Sequence, residues 1–347
     1  MDYIDLRSDT VSWPTPEMRE AMANAVVGDD IYGEDPTVIA LENEAATLLG
    51  KEAGLFVTSG HLGNLISIMT HCDRGSEIIL GDKAHTFLFE TGSISALASV
   101  HPHTVPNQED GTIALYDIRG AIRGDNYHFP RTRLITLENT HNLRGGVPIS
   151  AEYTAQVAEI ARENDLKLHI DGARLFNAAN ALGVPAKTLV EHADSVTFCL
   201  SKGLCAPVGS VIVGDAAFIK EARRNRKMLG GGMRQAGVIA AAGLVAIRTM
   251  IDRLGEDHQN ACLLAEELAK IEHIQVNTTQ TNFVFFDLLP DSPVSPEELI
   301  AQLAESYKIK IGLYPGFKRT FRAVTHYWIT EARVHEFARA VESILNS

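Results

Sequence analysis

From Ala53 to about Gly214 the chain alternates short apolar runs with stretches of helical periodicity, and this alternation constrains the fold more than any other feature. The runs cover residues 54–57, 77–80, 134–137, 166–170, 196–200 and 210–213. Most are apolar throughout rather than at every second residue. Strands of that composition suit a sheet covered on both faces, whereas a half-solvated strand shows strict alternation. The segments between the runs supply the cover: 150–164 places Tyr153, Val157, Ile160 and Ala161 at helical spacing. Strand and helix in turn build βαβ units, so an α/β fold with a mostly parallel sheet is expected.

The flanking segments read differently. Residues 1–15 lack periodicity and are expected to form an extended arm. Thr15-Pro16 opens a helix with an N-cap hydroxyl and proline at the first helical position, and Asp35-Pro36 repeats the device. Between them, residues 29–35 form a loop dense in carboxylates. Beyond Gly214, helical patterns run to about Ile271, followed by the strand-like stretch 282–287, a capping box at Ser295-Pro296-Glu297-Glu298 and a last helix with Val334, Phe337, Val341 and Ile344 on one face. The 347 residues match about two domains at roughly 150 residues each. The expected division is a large domain over 16–250 and a small α+β domain over 251–347.

Composition narrows the partners. With Asp+Glu 44 against Lys+Arg 31 the net charge is -13, and a nucleic-acid partner, which calls for a basic stripe, is not expected. Cys72, Cys199, Cys205 and Cys262 form no C-x-x-C pair and no disulfide framework. The opening MDYIDLRSDT has neither the basic nor the apolar region of a signal peptide, so a cytoplasmic location is expected. The uncharged stretch 53–72 contains Ser59, His61 and Asn64 and is too polar to span a bilayer; 236–247 is apolar but too short, and reads as a buried helix or a subunit contact. His71 and the His101-Pro102-His103 run complete no ligand set, so no metal is expected. The basic run Arg223-Arg224-Asn225-Arg226-Lys227 reads as a solvated helix face near phosphate or an acidic neighbour.

Three motifs carry chemistry. Thr58-Ser59-Gly60-His61-Leu62-Gly63-Asn64 is a glycine turn between a strand and a helix. Such a turn presents unpaired backbone N–H groups and a positive dipole end, which suit a phosphate. The same pattern also serves as plain strand-to-helix punctuation. No Gly-Lys-Ser/Thr follows it, and Gly230-Gly231-Gly232 follows a helix, so neither a P-loop nor a dinucleotide fingerprint is present. Asp171, in Ile170-Asp171-Gly172-Ala173-Arg174, ends a buried strand, where ligands bind in open α/β sheets; a structural ion pair with Arg174 is the alternative. Lys202, in Leu200-Ser201-Lys202-Gly203, follows the next buried run, one βα unit later. A phosphate turn, a strand-end acid and a strand-end lysine together suit pyridoxal phosphate. The turn takes the phosphate, the acid pairs with the ring nitrogen and the lysine bonds the aldehyde carbon.

The same residues carry a resemblance. Leu6-Arg7-Ser8-Asp9-Thr10, Gly28-Asp29-Asp30 with Tyr32-Gly33, Leu137-Glu138-Asn139-Thr140-His141, Asp171-Gly172-Ala173-Arg174, Cys199-Leu200-Ser201-Lys202-Gly203 and Gly230-Gly231-Gly232-Met233-Arg234-Gln235 resemble, in order, the threonine aldolases. The resemblance implies the aspartate aminotransferase-like fold of type I pyridoxal phosphate enzymes: a large domain with a seven-stranded-type sheet, plus a small C-terminal domain. It implies reversible aldol cleavage of L-threonine or L-allo-threonine to glycine and acetaldehyde, within glycine biosynthesis and threonine catabolism. It implies Lys202 as the cofactor lysine, Asp171 at the ring nitrogen and His85 stacked on the ring. It further implies His85 and His128 near the substrate hydroxyl, Ser8, Arg174 and Arg322 gathering the substrate carboxylate, Tyr32 at the substrate, and Ser59, Gly60 and His61 in the phosphate cup. Lys227 and Arg234 are implied as phosphate contacts from a neighbouring subunit of a homotetramer built from dimers. At His61 the family usually has threonine; the backbone N–H remains as a donor there.

Chemistry adds one requirement. A clamped carboxylate sets which bond at Cα aligns for cleavage, and a base must take the β-hydroxyl proton as Cα–Cβ breaks. His85 and His128 are both candidates, directly or through water. Competing readings are another lyase of this fold (β-eliminating or serine-type) and a non-catalytic cofactor-binding protein. A nicotinamide oxidoreductase is disfavoured by the missing glycine fingerprint.

Overall fold

The computed structural model describes residues 3–346, and the chain divides into two compact units, 14–251 and 1–13 with 252–347. The larger unit is built on a seven-stranded sheet: β1 (Ala53–Val57), β2 (Glu77–Gly81), β3 (His101–Val105), β4 (Thr132–Glu138), β5 (Lys167–Asp171), β6 (Ser195–Cys199) and β7 (Ser210–Gly214). Their order across the sheet is β1-β7-β6-β5-β4-β2-β3. Strand β7 runs antiparallel to both its neighbours, and all other pairings are parallel. The sheet is thus mostly parallel, and six of its strands fall on the six apolar runs.

Strand β3 has no such run. His-Pro-His-Thr-Val carries almost no apolar pattern, and it lies at the sheet edge, where Pro102 forfeits no interior ladder bond. Its histidines serve the neighbouring strand. Glu77 is fully buried, and His103 Nδ1 (3.3 Å), His101 Nε2 (3.8 Å) and Arg123 Nε (3.3 Å) surround its carboxylate. A buried carboxylate without such partners carries a large desolvation cost.

Helices cover the sheet through apolar contacts. Leu55, Val57 and Ile212 pack against Ile66, Phe218, Ile219 and Ala222, while Ile78, Leu80 and Leu134 pack against Leu65, Ile68 and Ile94. The apolar segment 236–247 forms the helix Gly237–Val245 and its π-helical continuation Ala246–Met250. Ala240, Ala242 and Ala246 are fully buried, so this is a helix of the unit's own core.

Asp35 ties that helix down. Its Oδ1 accepts from Thr37 N (3.1 Å) and Val38 N (3.0 Å), capping the helix Pro36–Leu48. Its Oδ2 accepts from Gly28 N (3.3 Å) and Gly237 N (2.8 Å). One carboxylate therefore satisfies four backbone donors from three segments. Asp35→Ala should cost about 2–4 kcal/mol, more than the ~1 kcal/mol of an ordinary cap, because buried N–H groups are orphaned. A urea titration checks this; a loss under ~1 kcal/mol would reduce Asp35 to a cap.

The basic run departs from its expectation as a solvated face. It lies in the helix Ala216–Met228, and Arg226 is among the most deeply buried large side chains. Its Nη1 donates to the Phe56 carbonyl and its Nη2 to Asp30 Oδ2, both at 2.7 Å. Arg223 pairs with Glu42 Oε2 at 2.6 Å. The carboxylates of the 29–35 loop and of Glu42 supply the counter-charges that permit this burial.

The smaller unit joins both ends of the chain. Ile4–Asp5 pairs in parallel with Ile309–Lys310, and Phe283–Leu288 lies between Ile274–Gln280 and Thr320–Val324 in an antiparallel sheet. Helices Leu254–Leu268, Pro296–Tyr307 and Glu331–Leu345 close the core over Val284, Phe286, Phe321 and Phe337. The capping box forms at Ser295 and Glu298. Within the extended N-terminal segment, Ile4–Asp5 forms a strand of this unit, and Trp13 stacks on Trp328 at 4.4 Å.

Candidate active site

The site follows from strand direction. Pairings Glu138↔Asp171, Asp171↔Thr197, Cys199↔Ser210 and Ser210↔Val57 bring the carboxyl ends of β4, β5, β6 and β1 to one edge of the sheet. Asp171 ends β5, Lys202 lies three residues beyond the end of β6, and His85 follows β2 as the first residue of the short helix His85–Leu88. The helix Gly60–His71 begins just beyond β1, with Ser59 as N-cap accepting from Leu62 N at 3.1 Å. This is the edge at which open α/β sheets bind ligands.

Three side chains, Asn64, Thr86 and His85, meet there around two buried acids. Asp171 is 3% exposed; its Oδ1 accepts from Ala173 N (3.1 Å), and its Oδ2 from Asn64 Nδ2 (2.9 Å) and Thr86 Oγ1 (3.5 Å). Glu90 is fully buried; its Oε1 accepts from Asn64 Nδ2 (2.9 Å) and faces His85 Nδ1 (3.1 Å). Its Oε2 is buried without a hydrogen-bond partner. The His85 backbone N–H donates to Glu138 Oε2 at 2.8 Å, fixing where that residue starts its helix.

These contacts set the protonation tendencies. Burial disfavours a charged His85, yet the Glu90 hydrogen bond and the charges of Asp171 and Glu138 outweigh it, and its pKa is raised. Lys202 acts on His85 in the opposite sense, which places its charge within electrostatic reach of the imidazole. Glu90 is raised by burial and by the neighbouring Asp171. Both shifts favour a proton held on the His85–Glu90 pair.

The residues expected from the sequence sort into four groups. Asp171, Lys202, His85, Ser59, Gly60 and His61 share the strand edge, and Arg174 joins them as a buried residue three positions after Asp171. A side chain at Gly60 would press on Cys199 Sγ at 2.8 Å, so only glycine lets the turn lie against β6. The His61 imidazole is engaged, with Nε2 3.1 Å from Ser93 Oγ. His128 does not join them within one subunit. It is exposed and lies before the start of β4, a strand-length of roughly 20 Å from the carboxyl end, at about 3.3 Å per residue. Arg234 pairs with Asp29 Oδ2 at 3.0 Å, while Lys227 and Tyr32 are exposed. These three belong to the face around the 230–232 turn, which packs Gly231 against Leu62. Ser8 and Arg322 lie in the smaller unit. Ser8 caps the turn Asp9–Val11, and Arg322 donates to the Arg7 carbonyl at 3.3 Å and lies over the Phe283 ring.

Sequence reading missed Glu90, Asn64 and His169. Asn64 stands in the glycine turn, one helical turn beyond its start, and His169 stands two residues before Asp171, on the same face of β5. Their spacing is the signal that points at the site.

Known proteins place the chain in a family. A family model described as "Beta-eliminating lyase" matches residues 5–289. The chain belongs to the beta-eliminating lyase family. Among curated relatives, it is 54% identical to low-specificity L-threonine aldolase 1 of Arabidopsis thaliana, covering 96% of this chain and 94% of that one. It is 45% identical to the low specificity L-threonine aldolase of Escherichia coli (strain K12), covering 96% and 97%. In fold it is similar to the threonine aldolase of Leishmania major, with a TM-score of 0.83, 19% identity and 99% of each chain covered.

Proposed function

We propose that this member of the beta-eliminating lyases is a threonine aldolase that cleaves β-hydroxy-α-amino acids, L-threonine or L-allo-threonine, to glycine and an aldehyde. One observation carries the reading: an acid, a lysine, a histidine and an open helix start converge on one carboxyl edge of a parallel sheet. The donor set fits pyridoxal phosphate. Lys202 would bond its aldehyde carbon, Asp171 would face its ring nitrogen, and the backbone N–H groups at Gly60 and His61 would take its phosphate. Bound there, the cofactor supplies an electron sink for bond cleavage at Cα.

The chain's own residues do the rest. Arg174 binds the substrate carboxylate and so sets which Cα bond is aligned. His85 has Nδ1 committed to Glu90, which leaves Nε2 as the nitrogen that takes the β-hydroxyl proton while Cα–Cβ breaks. The raised pKa of His85 suits a proton acceptor. Cα then gains a proton to complete glycine. The burial of Asp171 and Glu90 keeps water from the acids that orient this set.

Incubation with L-threonine and with L-allo-threonine in parallel tests the reading. Acetaldehyde and glycine in equal amounts are expected. Pyruvate and ammonia from serine, with no aldehyde from either threonine, would mark a β-eliminating lyase instead.

A further inference from the structure

Behind Asp171 a line of hydrogen bonds runs through the sheet. His71 Nε2 lies 2.7 Å from Ser195 Oγ, and Ser195 Oγ lies 2.8 Å from His169 Nδ1. His169 Nε2 lies 3.2 Å from Asn64 Oδ1, and Asn64 Nδ2 reaches both Asp171 Oδ2 and Glu90 Oε1 at 2.9 Å. Asn64, His169 and Ser195 are fully buried or nearly so, and none of them touches the reacting atoms in the mechanism above.

One tautomer of each histidine gives every link of the line a donor and an acceptor. Two carboxylate oxygens accept from the Asn64 nitrogen, so the opposite amide orientation would set a carbonyl against two acids. Asn64 Oδ1 therefore faces His169, and only an N–H at His169 Nε2 satisfies it. A neutral imidazole then leaves Nδ1 as an acceptor, which takes the Ser195 hydroxyl proton. Ser195 Oγ in turn accepts from His71 Nε2–H. Burial keeps both histidines neutral, lowering His169 to about 4 and His71 to about 3. All donors thus point one way, toward the acids.

The acids receive them unequally. Asp171 accepts from Asn64, Thr86 and Ala173, whereas Glu90 Oε2 has no donor. The ligand atoms of His85, Glu90 and Asp171 lie within 4.8 Å of one another, so two negative charges there oppose each other. We propose that Asn64, oriented by His169, Ser195 and His71, is a positioning residue that anchors the Asp171 carboxylate for a ring nitrogen, while Thr86 and Ala173, which donate to Asp171 and not to Glu90, tip the negative charge toward Asp171 and leave the proton with the His85–Glu90 pair. An ionised Asp171 holds a ring nitrogen in its protonated form, and a proton kept between His85 Nδ1 and Glu90 leaves Nε2 free to accept one from the substrate. The inference rests on the cofactor assignment above.

Two measurements test it separately from that assignment. First, ¹⁵N NMR of histidine-labelled protein should show His169 with its proton on Nε2; a proton on Nδ1 overturns the chain, with or without cofactor. Second, Asn64→Leu and the milder Ser195→Ala are reconstituted with ring-¹⁵N pyridoxal phosphate and compared with wild type. Asn64→Leu should weaken cofactor binding roughly tenfold or more and move the ring-nitrogen shift toward the unprotonated form. Ser195→Ala should move both in the same direction by less. A lower melting temperature with unchanged affinity and unchanged ring shift would make the chain merely structural and overturn the proposal. Wild-type protein that binds no cofactor overturns the functional reading instead, and the His169 tautomer still decides the chain.

Discussion

Lys202→Ala should abolish the visible absorbance of lysine-bound pyridoxal phosphate and lower aldehyde release by roughly 10⁴-fold or more, as removal of a covalent catalytic group does elsewhere. The fold should survive the change. Lys202 is half-buried, and its loop is held by main-chain bonds: Cys205 N to the Lys202 carbonyl (2.9 Å), Ala206 N to the Leu200 carbonyl (3.0 Å) and Leu200 N to the Gly209 carbonyl (3.0 Å). None of these uses the side chain. Leu204, Cys205 and Ala206 pack inward whatever stands at 202. Lys202→Arg sharpens the test, because it keeps the positive charge near His85 but offers no primary amine. If both variants fail, the bond-forming amine is what matters. Aldehyde release within tenfold of wild type in either one would remove Lys202 from the chemistry.

Much of this site was legible because strand direction is legible. The apolar runs that precede Asp171 and Lys202 are separated by a helical stretch and imply parallel strands, and in a parallel sheet the residues just past each run share an edge. The same logic places His128 elsewhere, since it stands before the run 134–137 rather than after it. Resemblance attached a role to that histidine that one subunit's geometry does not provide. The edge strand β3 escaped notice because its sequence serves a buried Glu77 instead of an apolar core. Arg226 escaped for a related reason: a run of basic residues suggests a solvated face, and its burial depends on Asp30, 196 residues away in sequence. Asn64 sits inside the glycine turn already singled out, but its pairing with Glu90 spans 26 residues and appears only when the helix Gly60–His71 is laid on the sheet. Local pattern reports direction and burial; long-range ion pairs and amide bridges emerge only from packing.

Acid should destabilise the larger unit through His169 and His71, whose pKa values burial lowers. His169 lies against Ser195, Asn64 and the charge of Asp171, and His71 faces Ser195, His169, Asp194 and Lys167 and stacks on Phe218 at 4.4 Å. Burial dominates for both, lowering His169 from 6.5 to about 4 and His71 to about 3. A folded pKa below the unfolded one means that the unfolded chain binds more protons, so stability rises with pH across that interval. The stabilisation is fully present above pH ~6.5 and is lost as pH falls toward 4. At about 1.4 kcal/mol per tenfold, the His169 displacement alone amounts to about 3 kcal/mol. The two histidines share Ser195, so their contributions overlap rather than add. Even so, the sum is a large fraction of a net stability of about 5–15 kcal/mol. Urea midpoints should therefore fall steeply between pH 6.5 and 4.5. His169→Gln keeps an amide donor but has no proton to gain, so it should start about 1 kcal/mol lower at pH 7.5 and fall less steeply. Parallel slopes for wild type and His169→Gln would show that acid sensitivity comes from other groups.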